Sequence, residues 1–557
     1  MPPKQTASAS SKRSNPTSSK SSPRKKQKPS NTSKAKRLIK VQRSVWNSKD
    51  DWDQLVSDSA LSTSSVSTRS PRLRGLPTLV KCAVNSISRG FKRLWEIDEG
   101  YSFNIAWDFL PPHLKSEVRE MVFKWWGSFL TLKILSEVFL VPPHLYLPGE
   151  LLPSIASANH LKVFIPAPET QAAYTSFTLK HASKATDVGI ASVLYHLPNL
   201  QSVNLKGCSL ASSRTVQTIL KRCDGLKKIN LKGTKVTEAD LKALLDKFGK
   251  QLEVFKVDED VFDDINNTFS SLPFPRITHL SLPGTLLNAP HQNPRYRSSL
   301  VGHPQPRATP AGSLIQWSTF DEVFPALTHL CLDGLLIPED TTILLNSGIE
   351  KLDLGSGGPP VPIGSLIRLI ESHKDTLKFL SIGHIRSKAA SEAEFRRLGE
   401  VLGRCTKLEV FKFVTDQHGS RDAICDAGLS RFSNLVYSPG LTGSWSKSLK
   451  VLSLSVPQII ESSVFFPYDD GQSAQAEETS PLEHLELPSA SIDNTQVFAV
   501  ALSRFTKLRT LDLSWTTITD DDMKVILEAC PLLSRVDLTS CRGIDVRHRR
   551  NIFKVKF

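Results

Sequence analysis

The apolar residues of this chain recur in blocks of the form Leu-x-x-Leu-x-Leu at a nearly constant interval. The block that begins at Leu508 returns 25 residues later at Leu533, and the first intervals of the series are 26 residues. Thirteen blocks share this register, and their first apolar positions are Tyr174, Leu200, Leu226, Leu252, Ile277, Leu327, Ile349, Leu377, Leu408, Leu449, Leu482, Leu508 and Leu533. A fixed period of this size is typical of stacked repeats, in which no single unit can bury its own apolar face.

Each interval reads as a strand, a turn and a helix. Between residues 226 and 252, Leu226, Ile229 and Leu231 are expected to point inward, and Thr237 stands where a helix N-cap would lie. Apolar residues then follow at helical spacing at Leu241, Leu244, Leu245 and Phe248. Stacked units of this kind would align their strands in one parallel sheet with the helices outside. The sequence therefore predicts an α/β solenoid, a horseshoe whose concave surface is a parallel sheet.

The stretch from Cys530 to Ile544, CPLLSRVDLTSCRGI, resembles the cysteine-containing (RNI-like) leucine-rich repeat of F-box/LRR proteins. Arg222-Cys223 and Arg404-Cys405 repeat its opening. The resemblance covers about residues 174–545 and implies a leucine-rich-repeat array, which we place at residues 174–557. Two stretches without an apolar period, residues 286–313 and 465–481, are predicted to be loops within the array, either tolerated insertions or partner-binding loops.

A helix that begins with proline is predicted before the array. Leu110-Pro111-Pro112-x-Leu114, followed by apolar residues at helical spacing, resembles the opening of an F-box. In that family the helices dock on a Skp-type adaptor, which joins the receptor to a cullin ubiquitin ligase. The resemblance implies an adaptor-binding surface made of Leu110, Pro111, Leu114, Val118, Met121, Val122, Trp125 and Trp126. Together with Leu79 and Cys82, this region is also similar to the head of the antagonist-of-mitotic-exit-network proteins.

A second interpretation of residues 76–140 is a helical cap that protects the apolar edge of the first repeat. Trp125 and Trp126 distinguish the two interpretations, because neighbours on a helix lie about 100° apart and only one can face the array. An exposed Trp126 would favour a partner site. Residues 141–173 are a Pro-rich insertion for which the pattern gives no structural prediction.

The net charge of +15 is concentrated in an N-terminal tail. Residues 1–45 hold thirteen Lys and Arg and no Asp or Glu, which leaves +2 for the rest of the chain. Residues 1–75 are rich in Ser, Thr, Pro and Lys, so we expect them to be disordered. Two basic clusters favour binding to an importin, through Arg24, Lys25, Lys26, Lys28, Lys36 and Arg37.

The tail also leaves other interpretations open. It could act as a solubilising segment, or it could contact nucleic acid, since clustered cations suffice for non-specific phosphate binding. Ser22 precedes Pro23 and resembles a cyclin-dependent kinase site, where a phosphate would weaken importin binding.

Composition favours an intracellular protein without catalytic machinery. The chain has eight cysteines with no Cys-x-x-Cys pair, no apolar run of membrane-spanning length and no apolar core in its first thirty residues. We therefore expect the nucleus and cytoplasm as its location and no membrane partner. No catalytic motif is present, and we expect no cofactor. His279, His329 and Cys331 are the best metal candidate, but ordinary polar residues on a binding face are favoured.

The outward strand positions predict a charge-polarised sheet face. Early repeats place Lys206, Lys227, Lys228, Lys232 and Lys256 on or near it, and late repeats place Glu483, Glu486, Asp512 and Asp537 there. Such a face would hold a protein substrate or regulatory partner along its length. The alternative is a solvated face with unrelated charges.

These patterns favour a non-enzymatic adaptor, a monomer outside its complex, that recognises substrates for an SCF-type cullin ubiquitin ligase in protein catabolism. One alternative is a cell-cycle regulator of the mitotic-exit type that sequesters a partner without ubiquitin transfer. Another is a chromatin or DNA-repair factor whose basic tail contacts nucleic acid. Fold alone does not choose among them.

Overall fold

The computed structural model describes residues 66–68, 78–127, 129–148, 158–257, 269, 273–283, 323–333, 348–355, 361–383, 385–386, 392–414, 448–455, 459–460, 481–492, 494–503 and 505–554. The chain divides into two units, Met1–Ala60 and Leu61–Phe557, and every described residue belongs to the second. None of the described helices is both long and apolar enough to cross a membrane.

Most strands of the described chain belong to one fifteen-stranded sheet. In chain order the strands are β1 (Val66–Thr68), β2 (His144–Pro148), β3 (Ser176–Lys180), β4 (Ser202–Asn204), β5 (Lys228–Asn230), β6 (Val254–Lys256), β7 (His279–Pro283), β8 (His329–Asp333), β9 (Lys351–Asp353), β10 (Val361–Pro362), β11 (Phe379–Ile382), β12 (Ile385–Arg386), β13 (Val410–Val414), β14 (Val451–Ser455), β15 (Ile459–Ile460), β16 (His484–Glu486), β17 (Ser491–Ile492), β18 (Thr510–Asp512) and β19 (Arg535–Asp537). The large sheet has the order β1-β19-β18-β16-β14-β13-β11-β9-β8-β7-β6-β5-β4-β3-β2. The pairs β10–β12 and β15–β17 form two short parallel sheets.

Helices follow the strands along the chain. They are α1 (Leu79–Ile97), α2 (Tyr101–Phe109), α3 (Pro112–Trp126), α4 (Leu132–Val138), α5 (Ala158–Lys162), α6 (Asp187–Tyr195), α7 (Ser213–Arg222), α8 (Glu238–Phe248), α9 (Ile363–His373), α10 (Glu392–Gly403), α11 (Thr495–Leu502), α12 (Asp520–Ala529) and α13 (Val546–Asn551). Short 3-10 turns cover Gln171–Ala173 and Ile552–Lys554. The N-cap expected at Thr237 is confirmed, and both Thr237 and Thr519 form capping boxes with the aspartate three residues later.

Equivalent apolar residues of successive repeats meet in one core. All thirteen first positions of the apolar blocks, from Tyr174 to Leu533, are at most 4% exposed. Val203, Ile229 and Phe255 are register partners in β4, β5 and β6, and all three are buried. From β2 to β19 all neighbouring strands of the sheet are parallel. The predicted leucine-rich-repeat solenoid is therefore confirmed.

Buried cysteines connect some of the repeats to the repeat before them. The thiol of Cys208 donates to the carbonyl oxygen of Leu179 at 3.0 Å, and that of Cys541 donates to Leu513 at 2.9 Å. Burial raises the pKa of Cys208 to about 12, so this thiol stays protonated at neutral pH and remains a donor. A cysteine at this position is small enough for the core and still satisfies a buried carbonyl group.

Asp187 makes a second kind of link between repeats. It lies in the first turn of α6, and its carboxylate accepts the backbone N–H groups of Ser212 (2.9 Å) and Thr215 (3.0 Å) at the start of α7. Burial alone would raise the pKa of Asp187, but these bonds and those from the two hydroxyls outweigh it and lower the pKa. One repeat thus caps the helix of the next.

Helices α1 to α4 form a head with an aromatic interior. Phe91 packs edge-on against Phe103 with 4.9 Å between ring centroids, and Phe139 packs edge-on against Trp107 at 5.4 Å. The head meets the array at β2, where Nη1 of Arg119 donates to the carbonyl oxygen of His144 at 3.0 Å. An unpaired strand edge invites pairing with other chains, so this contact helps to protect one end of the sheet.

Two strands lie where the pattern did not predict them. β2 belongs to residues 141–173, and its Leu145 pairs in register with Phe177 of β3. β1 lies within residues 1–75, and it pairs antiparallel with β19. The hydroxyl of Ser67 in β1 donates to the carbonyl oxygen of Arg549 at 3.0 Å and accepts from the N–H of Ile552 at 3.3 Å. The proposed loop 286–313 lies outside the described residues, as does 465–481 except for Pro481.

We expect Asp187→Ala to lower the free energy of unfolding by about 1–2 kcal/mol, because the first turn of α7 loses its cap. Chemical denaturation followed by circular dichroism would measure the change. Asp246→Ala, which removes an exposed carboxylate of α8, is the matched control and should change stability by less than about 0.5 kcal/mol. Equal effects of the two substitutions would contradict the capping role.

Candidate functional site

Helix α1 exposes an apolar face beside its buried face. Val84, Ser88, Phe91 and Trp95 are buried against the head. At about 100° per residue, Leu79, Leu94 and Ile97 fall together on an adjoining side, and all three are exposed. The remaining side is polar and carries Lys81, Asn85, Arg89, Lys92, Arg93 and Glu96. The core of the head therefore does not account for all the apolar residues of α1.

Helix α2 carries an exposed apolar stripe of its own. Tyr101, Ile105 and Phe109 are spaced four residues apart, which places them along one side of the helix. Tyr101 is 71% exposed and Phe109 is 84% exposed, whereas Phe103 and Trp107 on the other side are buried. Ile97 ends α1 and Tyr101 begins α2, so the two exposed stripes are separated by only three residues of the chain. We call Leu79, Leu94, Ile97, Tyr101, Ile105 and Phe109 the apolar head surface.

The residues predicted to bind an adaptor, on and just before α3, differ in how exposed they are. Val118 and Val122 are fully buried in the head, so a partner cannot contact them. The adaptor-binding role predicted for these two residues is therefore wrong. Leu110, Leu114 and Met121 are half-buried against the core, and Pro111 is exposed. The helix faces its core with Val118, Val122 and Phe123 because these residues recur at helical spacing.

A hydrogen bond shows which of the two neighbouring tryptophans, Trp125 and Trp126, packs inside the head. Nε1 of Trp126 donates to the carbonyl oxygen of Ser88 at 2.8 Å, which fixes Trp126 between α3 and α1. Trp125 is 47% exposed, and the guanidinium of Arg89 lies 5.1 Å from its ring centroid. Trp126 is therefore a structural residue, and Trp125 lies on the surface. Apart from Leu79, the sequence pattern did not predict the apolar head surface. The exposed apolar stripe of α1 could have been recognised in the sequence from its helical spacing.

Lysines follow each other across the early strands of the sheet. Lys180, Lys206 and Lys232 occupy equivalent positions in three successive repeats, 26 residues apart. The carbonyl oxygen of Lys206 accepts the N–H of His181, and that of Lys232 accepts the N–H of Gly207, both at 2.7 Å. We call these three residues the lysine strip. Lys180 was not among the predicted residues, although the 26-residue spacing pointed to it.

The other predicted lysines surround this strip. Lys228 is the first residue of β5 and lies 3.8 Å from the carboxylate of Glu253. Lys256 ends β6 and pairs in register with Ser281. Lys227 precedes β5, and its carbonyl oxygen accepts the N–H of Glu253 at 2.7 Å. All of them lie at the early end of the sheet.

Three of the predicted acidic residues form a column at the late end. Glu486, Asp512 and Asp537 are direct register partners in β16, β18 and β19. Burial, and then the neighbouring carboxylates of Asp537 and Glu486, raise the pKa of Asp512 to about 6. Burial also raises the pKa of Glu486, against the opposing effect of Lys412. These carboxylates share a confined space, as adjacent positions on one strand face require.

Glu483 does not join this acidic column. Its carboxylate lies 3.0 Å from Nε of Arg509, one of several such pairs between equivalent positions. Glu350 with Lys378 at 2.9 Å and Glu409 with Lys450 at 3.1 Å are two more pairs of this kind. The charge of Glu483 is therefore compensated within the array, and the acidic end rests on three residues rather than four.

Two histidines stack on the same face. His279 and His329 are register partners, and their rings are 3.8 Å apart at an interplanar angle of 15°. Nδ1 of each ring contacts the hydroxyl of the preceding threonine, at 2.8 Å in His279 and 2.9 Å in His329. Cys331 pairs with Ser281 in the same two strands. The described residues contain no group of three or more His, Cys, Asp or Glu arranged to hold a metal ion.

The import residues Arg24, Lys25, Lys26, Lys28, Lys36 and Arg37 lie outside the described residues, and so does Ser22. Their roles therefore stay predictions.

We expect His329 to titrate near pH 4. Burial, and then the positive charges of His279 and Lys351, lower the pKa of His329 to about 4. Unfolded histidine takes up its proton near pH 6.5, so His329 contributes stability above that pH and loses it as the pH falls toward 4. NMR of histidine-labelled protein, with His329→Gln for assignment, would give the midpoint. A midpoint near 6.5 would contradict the stacked, half-buried arrangement.

No protein-family model and no curated protein matches this sequence. Among solved structures, a chain of the yeast Rad7 and Elc1 complex is 14% identical, with 85% of this chain and 96% of that chain covered and a TM-score of 0.42. An LRR protein of Leptospira interrogans is 14% identical, with coverages of 73% and 92% and a TM-score of 0.32. An internalin of Listeria monocytogenes is 14% identical, with coverages of 70% and 93% and a TM-score of 0.29. None of these likenesses identifies a partner or an activity, and the chain's own strands and repeats are what give it the leucine-rich-repeat fold.

Proposed function

We propose that this chain is a non-enzymatic adaptor that recognises substrates for a cullin ubiquitin ligase. In this proposal the apolar head surface binds a Skp-type adaptor, and the sheet face holds the protein to be ubiquitinated. The apolar head surface is the observation that carries the proposal. Of seventeen large hydrophobic residues exposed among the described residues, eight lie between Leu79 and Trp125. Exposed apolar residues are thus concentrated on the first three helices, while the long array contributes few of them per repeat.

Physical chemistry supports a binding role for this surface. Each exposed apolar side chain costs free energy in water, and contiguous apolar patches on soluble domains mark interaction sites. Aromatic residues such as Tyr101, Phe109 and Trp125 are typical anchors of protein interfaces, because they bury a large area with few rotatable bonds. A cap that only protected the first repeat would have no need of them on its outer side.

The identity of the partner rests on the sequence resemblance. Leu110-Pro111-Pro112-x-Leu114 resembles the opening of an F-box, and in the structure α3 begins at Pro112, within that motif. The apolar head surface lies on the two helices that precede it. A Skp-type adaptor is therefore the partner that we propose for the head. The basic tail supports a nuclear site of action through importin, as predicted from Arg24–Lys28 and Lys36–Arg37.

We expect the double substitution Ile105→Asp and Phe109→Asp to weaken binding of a purified Skp-type adaptor by at least about tenfold. Both side chains are exposed, so the melting temperature should stay within about 2 °C of that of the wild type. Isothermal titration calorimetry with the full chain would measure the affinity.

The matched control is Val188→Asp with Val500→Asp, two exposed positions on α6 and α11 of the array. It should leave adaptor binding unchanged. If the wild-type chain does not bind a Skp-type adaptor, the ligase proposal fails. Binding of a partner by the array without ligase assembly would then favour the sequestering regulator instead.

A further inference from the structure

The short helix α13 carries only cations among the charged residues of its outward side. At about 100° per residue, His548, Arg549 and Ile552 fall on one side of α13 and of the 3-10 turn that follows it, and these three are buried or half-buried. The residues of the opposite side are all exposed, and they are Val546, Arg547, Arg550, Asn551 and Lys554. The charge of this side comes from Arg547, Arg550 and Lys554, which we call the basic stripe.

Two carboxylates next to α13 are engaged with its backbone and with His548. Oδ1 of Asp545 accepts the N–H of Arg547 at 2.7 Å, which caps the helix. Oδ1 of Asp520 lies 2.9 Å from Nδ1 of His548, and its Oδ2 accepts the N–H of Asp545 at 3.3 Å. Within the described part of the chain, no carboxylate lies at ion-pair distance from the side chains of the basic stripe. Three positive charges therefore face solvent from this short helix and its turn.

Several bonds fix α13 to the array. The helix has six residues, and an isolated helix of that length is not stable in water. The hydroxyl of Ser67 bridges the carbonyl oxygen of Arg549 and the N–H of Ile552. Nε of Arg549 donates to the carbonyl oxygen of Ile544 at 3.0 Å, and the side chain of Ile552 is fully buried. The backbone that carries the basic stripe is thus held in place before a ligand arrives, which lowers the ordering cost of binding.

We propose that the basic stripe binds a short acidic segment of a partner protein. Lys554 stands seven positions after Arg547, so at about 1.5 Å per residue the stripe is about 10 Å long. An extended segment advances about 3.3–3.6 Å per residue, so about three or four of its residues cover the stripe. Its carboxylates accept charge-assisted hydrogen bonds from the two guanidinium groups and the ammonium group.

This surface goes beyond the proposed function, because it lies far along the sheet from the head. The head meets the sheet at β2, whereas Ser67 of β1 joins α13 to the end of the sheet that holds β19. The chain would therefore hold an adaptor at one end of its sheet and an acidic segment of another protein at the other end.

A short acidic segment fits the basic stripe better than a nucleic acid does. A duplex presents one negative charge per about 1.7 Å along its whole length, so it extends beyond a stripe of about 10 Å. The first turn of α12, which carries Asp520, Asp521 and Asp522, adjoins α13 through His548 and repels such a long polyanion. Single strands are held by aromatic residues that stack on bases, and no exposed residue on the outward side of α13 is aromatic.

The test locates an acidic peptide on the full chain. The probe is a peptide of about eight residues in which glutamate alternates with serine, long enough to cover the stripe. A carbodiimide couples carboxylates of the bound peptide to nearby lysine amines at low salt, where exposed charges are least screened. Mass spectrometry then gives the coupling yield at Lys554, and peptide that binds the N-terminal tail is counted separately at the tail lysines.

Two variants with the same change in net charge are compared. Arg547→Gln with Arg550→Gln removes two charges of the basic stripe and keeps Lys554 as the reporter. Arg214→Gln with Arg276→Gln removes two exposed arginines elsewhere in the array and is the matched control.

We expect the yield at Lys554 to fall about tenfold in the stripe variant and to stay at the wild-type level in the control variant. An undiminished yield in the stripe variant, or equal losses in both variants, would overturn the proposal. A wild-type yield at Lys554 no higher than that at Lys242, an exposed lysine of α8, would also overturn it.

Nucleic acid is tested with a short DNA duplex by fluorescence anisotropy. If the duplex binds the wild type more tightly than the peptide does and loses that affinity in the stripe variant, the proposal fails in favour of nucleic acid. The stripe variant should bind the Skp-type adaptor as the wild type does, so failure of this inference is distinguishable from failure of the head surface.

Discussion

The structure depends on the constant register of the strand ladder. Position for position, each strand pairs with its neighbour, so Val203, Ile229 and Phe255 fall in line, and so do Glu486, Asp512 and Asp537. A shift of one residue would exchange the buried and outward positions of a strand, which the buried leucines forbid. The same constraint that builds the core therefore also sorts the outward residues into rows, and the properties of the sheet face follow from it.

The core alone does not hold the repeats at this register. Several repeats also satisfy a polar group of a neighbour, as the thiol of Cys208 does for Leu179 and the carboxylate of Asp187 does for the start of α7. These bonds are directional, whereas apolar contacts are not. A stack of repeats gains stability from interfaces between neighbours, so such links repeat their contribution along the array. The surfaces available for partners are therefore held on a rigid support.

The sequence was sufficient for the array because its signal is repeated many times. A single Leu-x-x-Leu-x-Leu block carries little information, but thirteen in one register leave few alternatives, and all thirteen first positions are buried. The pattern did not predict β2, because Pro142 stands in place of the first apolar residue of its block. It did not predict β1, because three residues in a polar segment form no recognisable pattern. The site was less predictable. Val118 and Val122 are apolar, as residues of a binding surface often are, and only the packing of α3 shows that they belong to the core of the head. Conversely, Ile105 and Phe109 look like core residues until α2 is seen to have its core on the other side.

The antiparallel pairing of Val66–Thr68 with β19 joins the two ends of the unit. The last strand of the solenoid is thus covered by residues synthesised before the first repeat, and this pairing can form only when translation of the array is nearly complete. Shortening the chain to begin at the head, which the sequence pattern would encourage, would leave the backbone of β19 open at the opposite end of the molecule. Such a shortened protein would carry an unprotected edge and tend to self-associate, although every repeat and the whole head were intact.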